Sequence, residues 1–227
     1  MQQAKAVSPK YQWQIRLTAI LRDSLTDKQI AILIASVELF SAKGFAAVTT
    51  KEIARRAGVS EGSIFKQYAS KEELFAVIMD LISENIFFPM LGHGLAELFD
   101  KPFASLEEFF QVLLQNRAEL FQENVVPIRL LLQELPHRPE MRVAFLARLK
   151  QIPLLDALAS LRAQKLLPDC SPLENLHILM ACLAGFFLTR FIMFPEYFAD
   201  GLEQDIDHFV KFTVSGLNGW TKGGTAI

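Results

Sequence analysis

Apolar residues recur at helical spacing along almost the whole chain, and no stretch alternates as a strand would. Ile30, Leu33, Ile34, Val37 and Phe40 mark one helical face. Ile32, Ala35 and Leu39 widen it, which predicts burial on more than one side. Thr26-Asp27-Lys28-Gln29 opens this helix as a capping box, and Lys43-Gly44 closes it with a cation and then a residue free to turn. Upstream, apolar residues at 13, 17, 20, 21 and 25 predict a shorter helix, with Lys10, Arg16 and Arg22 among them. Residues 1–10 are polar and predict no element.

The next stretch, from Thr49 to Glu73, packs two short helical patterns around a turn. Thr49-x-x-Glu52 is a capping box, and Ile53, Ala54 and Ala57 form a narrow apolar face. Gly58 suits a left-handed stop, Val59 plugs the corner, and Ser60 caps a second helix expected over Glu61 to Tyr68. Ile64 and Tyr68 face inward, leaving Glu61, Gly62, Ser63, Lys66 and Gln67 outside. Two helices crossing steeply need a small contact residue, which Ala54 supplies. Ser70-x-x-Glu73 opens the following helix, in which Leu74, Phe75, Val77, Ile78, Leu81 and Ile82 run to about Phe88, where Pro89 is expected to break or kink it.

Beyond residue 90, helical patterns are separated by proline. They are expected from Ser105 to Gln122, over 125–134, from Pro139 to about Lys165 with a bend at Pro153, from Ser171 to about Phe194, and from Leu202 to Gly216, with a loose tail from Asn218. Fifteen of the 19 phenylalanines lie after residue 86, either filling a core or lining a cavity.

Composition narrows the class. A hydrophobic content of 51% with 11 Gly and 10 Pro in 227 residues fits a compact all-α protein. Cys170 and Cys182 form no disulfide framework and read as small apolar residues in a reducing compartment. Four scattered histidines give no metal-ligand pattern, and no cofactor motif is present. No secretory signal is expected, since Arg16 and Arg22 interrupt the apolar positions near the N-terminus. The most apolar run, Leu176 to Thr189, is shorter than a membrane span, so a cytoplasmic location is expected. Net charge is −2, yet residues 1–71 hold eleven Lys and Arg against five Asp and Glu, so a basic head precedes an acidic body. Gly58-Val59-Ser60-Glu61-Gly62 also satisfies G-x-S-x-G, but a nucleophile elbow needs a strand before its serine, and Lys51 to Ala57 is helical in pattern. No paired catalytic groups are visible, and no enzyme is expected.

The run AILIASVELFSAKGFAAVTTKEIARRAGVSEGSIFKQYASKEELF, Ala31 to Phe75, resembles the DNA-binding domain of the TetR family of transcriptional regulators. The resemblance implies an all-α fold with a three-helix helix-turn-helix domain at 26–71, preceded by an extension at 1–25. A helical effector-binding and dimerisation domain follows at 72–219, with a tail at 220–227. It implies that Thr50 and Lys51 contact phosphate or an outer base, and that Glu61, Gly62, Ser63 and Gln67 face base edges in the major groove. Phe65 and Tyr68 match an aromatic pair, with Phe65 where tyrosine is common, and Lys71 matches a phosphate-binding lysine. The helix near the N-terminus is then either packed on the head or a basic arm on DNA. The implied partners are double-stranded DNA and a second copy of the chain, paired through helices at about 173–194 and 202–216. A small apolar or aromatic effector is implied too, and no membrane. The expected activity is repression at a palindromic operator. A helical scaffold or ligand-binding protein without specific DNA binding is the alternative.

Overall fold

The computed structural model describes residues 12–92, 98, 101–149, 154–164, 167, 171–198 and 200–222. The polar first ten residues, Cys170 and the bend at Pro153 lie outside them. Every regular element among the described residues is helical. Their contacts gather into two compact units, one of residues 1–90 with 122–149 and the other of 91–121 with 150–227.

In the first unit, α1 (Gln12–Leu21) buries Trp13, Leu17 and Leu21 and packs on α2 (Asp27–Lys43). The first helix is thus a packed element: Gln14 donates to Glu38, and Arg16 pairs with Glu123 at 3.5 Å. α2 begins in the Thr26–Gln29 capping box and buries Ile30, Leu33, Val37 and Phe40. α3 (Thr50–Ala57) follows the Thr49–Glu52 box, and Gly58 stops it at φ 68°, ψ 32°, a conformation that favours glycine.

Ser60 caps α4, which spans only Glu61–Phe65; residues 66 and 67 form a turn instead of the expected last helical turn. Tyr68 is nonetheless buried beside Ile64, because the turn returns it to the core. α5 (Lys71–Ile82) does not break at Pro89. Proline has no N–H to give the carbonyl four residues back. The helix absorbs that gap by widening to a π-helical turn over Ser83–Phe87, continues as α6 (Phe88–Gly92), and uses the Asn85 side-chain amide to bond the Leu81 carbonyl.

α8 (Val125–Glu134) packs on α2 and α5, and a 3₁₀ turn (Leu135–His137) leads to α9 (Pro139–Leu149). These elements follow α7 (Leu106–Glu123).

In the second unit, α7 meets α11 (Pro172–Phe187) through Phe121 stacked on Phe187, ring centroids 5.1 Å apart. α10 (Leu154–Ala163) packs on α11. α11 begins in the Ser171–Glu174 box and continues through a π-helical segment, Leu188–Met193, in which buried Arg190 pairs with Asp205 and donates to the Asp200 carbonyl. Phe186 then meets Phe209 of α12 (Leu202–Lys222) at 5.0 Å. α12 overruns the expected end at Gly216 by six residues: glycine permits a stop but does not impose one, and buried Leu217 carries the apolar face onward.

The apolar run at 176–189 belongs to a 21-residue helical stretch, Leu173–Met193, and Lys71–Gly92 is another, of 22 residues. Both are long and apolar enough by length and composition to cross a membrane, which corrects the expectation from the shorter run. Less than half of either apolar window is buried, 44% in Lys71–Gly92 and 22% in Leu173–Met193.

Candidate nucleic-acid interface

The outward face of α3 and α4 is built from the inside. Ile53, Ala54 and Ile64 are buried, and the Val59 N–H donates to the Ala54 carbonyl at 3.0 Å, closing the turn between the helices. Ser60 accepts the Ser63 N–H, and the two serine hydroxyls share a hydrogen bond of 2.8 Å. This fixes the first turn of α4 and holds Ser63 half-buried. Glu61, Gly62, Phe65 and Lys66 are exposed, with Phe65 49% accessible despite its size.

The residues singled out from the sequence are not equivalent. Thr50 donates its hydroxyl to the Glu61 carboxylate, so α3 and α4 are bridged across their outer surface and the acid is held close to α3. Lys51 is exposed. Gln67 lies past the end of α4, is half-buried, and turns a buried Oε1 inward with no hydrogen-bond partner. Tyr68 is 8% accessible, and burial, with the nearby Glu73 charge, raises its hydroxyl pKa. Lys71 donates its ammonium to the carbonyls of Phe45 and Val48, both at 3.0 Å, and lies 4.3 Å above the Phe45 ring.

Charge around the face is uneven. Lys43 pairs with Glu52 at 2.9 Å and Arg56 with Glu38 at 2.6 Å, whereas Lys51, Arg55 and Lys66 are exposed. Hydrogen bonding to Lys43, then the Thr49 N–H, holds the Glu52 carboxyl at about 2. Exposed cations on a small module supply sequence-independent attraction to phosphate.

The support behind this face comes from residues far along the chain, which no local pattern announces. Phe45, in the turn between α2 and α3, donates its N–H to Glu134 at 3.4 Å. Arg138 pairs with the same carboxylate and lies over the rings of Phe45 and Phe75 at 4.9 and 4.2 Å. The Phe45 and Phe75 rings meet edge to face at 4.7 Å. One turn of the head is thus gripped by Lys71 from one side and by Glu134 and Arg138 from another. A run of cation and carboxylate four apart in the sequence predicts their own pairing but not the turn that they hold.

Residues 32–78 match the sequence profile of the family described as bacterial regulatory proteins, tetR family. Across 204 residues the chain is 24% identical to the uncharacterized HTH-type transcriptional regulator YvkB of Bacillus subtilis, covering 82% of this chain and 95% of that one. It is 29% identical over 110 residues to a second such regulator of that organism, YerO, covering 45% and 38%. Two crystal structures share the fold at 19% and 21% identity: a TetR family transcription regulator from Marinobacter aquaeolei (TM-score 0.61; 87% of this chain, 98% of that) and PfmR from Thermus thermophilus (0.57; 82% and 98%).

Proposed function

Because the chain is a TetR-family DNA-binding transcriptional regulator, we propose that it acts as a homodimeric repressor, released from a palindromic operator by a small effector with an apolar body. The observation that carries this reading is the paired, outward-facing construction of α3 and α4. A capped helix presents Glu61, Gly62, Ser63 and Phe65, with Gln67 and Tyr68 beyond its end, and Thr50, Lys51 and Lys71 flank it.

In this reading Lys51 and the free proton of Lys71 meet phosphates, Thr50 and Glu61 work as a bridged pair, and Phe65 packs on a thymine methyl. Tyr68 supports the face from within. The Gln67 amide swings out to an adenine edge, where its unbonded oxygen exchanges a buried, unsatisfied position for a partner.

Dimerisation is supported by the exposed side of α11 and α12. Ala181, Ala184 and Gly185 are exposed on α11, where small side chains permit close helix approach, and Phe212 is 80% accessible on α12. A regulator of this class works in the cytoplasm, so this apolar surface is assigned to a second copy of the chain rather than to a bilayer. An effector selects between dimer states that do and do not fit successive major grooves.

The test is fluorescence anisotropy with a labelled duplex of random sequence across a salt series. Binding that weakens linearly in log–log form supports phosphate contact. No binding at low salt overturns the reading and favours the scaffold alternative, whose support is the acidic Glu61 on the proposed face.

A further inference from the structure

A cavity of about 260 Å³ opens in the first unit between α5, its π-helical turn, α8 and α9. Its walls are apolar, with Met79, Leu131, Met141 and Phe145 among them, and the Phe88 and Phe145 rings meet at 5.0 Å. Its rim is not. Asp80, Glu84 and Glu140 put three carboxylates there against one guanidinium, that of Arg148. Asp80 and Glu140 are exposed, and among the described residues neither carboxylate has an ion pair or a hydrogen bond.

Arg148 shows what this rim accepts. Its guanidinium pairs with Glu84 at 3.3 Å and lies 5.7 Å from the centre of the Phe88 ring, so an internal cation already rests on one acid and one aromatic face. We propose that the cavity binds a small organic cation, its positive group between Asp80, Glu84 and Glu140 and its apolar body against Phe88 and Phe145.

The volume falls just under the usual range of ligand clefts, roughly 300–1,000 Å³, so the ligand is a compact amphipathic cation or the charged end of a longer one. Apolar walls alone would take a neutral ligand; the uncompensated acids give the site its sign. Leu131 and Leu135 line the cavity, and Glu134, which holds the Phe45 turn, lies between them in the chain. A ligand that moves α8 therefore reaches the head. This consequence at DNA rests on the effector-responsive reading above; the binding itself does not.

The experiment is calorimetric titration of the full chain with phenylpropyltrimethylammonium and with its neutral isostere, in which carbon replaces the quaternary nitrogen. The cation is expected to bind about tenfold tighter, the scale of one ring–cation or ion-pair contact. Asp80→Asn with Glu140→Gln should bring the cation to the level of the isostere and leave the isostere unchanged. Arg148→Ala should tighten the cation by removing its rival, and Met141→Trp should abolish both by filling the space. Equal affinities, no binding by either probe, or a preference that survives the double substitution overturns the proposal.

DNA release is read separately by anisotropy. A cation that binds as expected yet leaves DNA affinity unchanged overturns the regulatory link alone. DNA release by a neutral apolar ligand, with no binding of the cation, overturns the cavity assignment alone.

Discussion

Glu134 accepts the main-chain N–H of Phe45, 89 residues earlier in the chain, and Arg138 lies over the same residue's ring. The turn between α2 and α3 sets where α3 begins and so where α4 points. Its geometry depends on a carboxylate carried by α8. Glu134→Ala leaves the Phe45 N–H without a partner in a half-buried site and leaves the Arg138 charge uncompensated. The expected loss is about 1–2 kcal/mol of stability, read as a lower urea midpoint. DNA affinity should fall as well, although neither residue is placed on the DNA face. An unchanged affinity would show that the head holds this turn unaided.

Lys71 holds the turn, and the proposed function gives it a phosphate as well; the two roles can be separated. Two of its three ammonium protons are given to the Phe45 and Val48 carbonyls, and in that reading the third meets a phosphate. Lys71→Met keeps a side chain of similar length beside the Phe45 ring and removes all three donors. Stability should drop by about 1–3 kcal/mol as two carbonyls lose their partner. The slope of log affinity against log salt should shrink by about one phosphate contact. A stability loss with an unchanged slope would make Lys71 a prop for the turn and nothing more.

Much of this head could be read from local chemistry. The boxes at Thr26 and Thr49 and the left-handed Gly58 depend on residues three or four apart, and all three stand as the sequence predicts. Ser70 departs slightly: its hydroxyl accepts the Glu73 N–H, but the Glu73 carboxylate turns to the N–H of Ala69. What the local pattern does not carry are events decided by distant partners or by packing. The grip on Phe45 joins residues 89 apart. The early end of α4 follows from the need to bury Tyr68, and helical spacing alone cannot distinguish a turn from a fourth helical position. The continuation past Pro89 needed a π-helical turn, whose register no periodicity of 3.6 reveals. The cavity, too, is formed by α5 and α9, far apart in sequence.

Glu52 gives the head a pH dependence of known sign. Its folded carboxyl is held at about 2, below the ordinary 4.5, by Lys43 and the Thr49 N–H. A depressed carboxylate contributes stability that is fully present above the unfolded value and is lost as pH falls through the folded one. Stability of the native chain should therefore decline between about pH 4.5 and pH 2, and Glu52→Gln should flatten part of that decline. Urea midpoints measured across this window for both chains provide the check. Parallel profiles would mean that the Lys43–Glu52 pair does not differ between folded and unfolded states.

Gln67 should separate specificity from affinity. Its Oε1 is buried without a partner in the free chain, so removing the amide leaves no native hydrogen bond broken. Gln67→Ala should leave stability within about 0.5 kcal/mol of the native chain. It should relax preference at a single base pair of a selected operator by about 1–3 kcal/mol. Competition anisotropy with operators substituted one pair at a time reads this directly. If every position keeps its preference, Gln67 does not read a base.

Association is the last requirement, and the exposed side of α11 and α12 makes it testable without disturbing the head. Phe212 is 80% accessible, and Ala184 is exposed on the neighbouring helix, so neither side chain supports the core of the second unit. An isolated apolar side chain in water needs no explanation, but Phe212 adds to the exposed small residues of a neighbouring helix with little of its apolar window buried. Phe212→Arg with Ala184→Glu adds charge that a paired, desolvated face cannot accommodate, while leaving it solvated in a single chain. Sedimentation should show a dimer for the native chain and a monomer for the double variant, with helical circular dichroism unchanged. Binding to a palindromic site should fall to the level of an isolated half-site. Should the variant remain a dimer, the partner surface lies elsewhere on the second unit. Should it become monomeric yet bind the palindrome as tightly as before, paired recognition helices are not the basis of operator affinity.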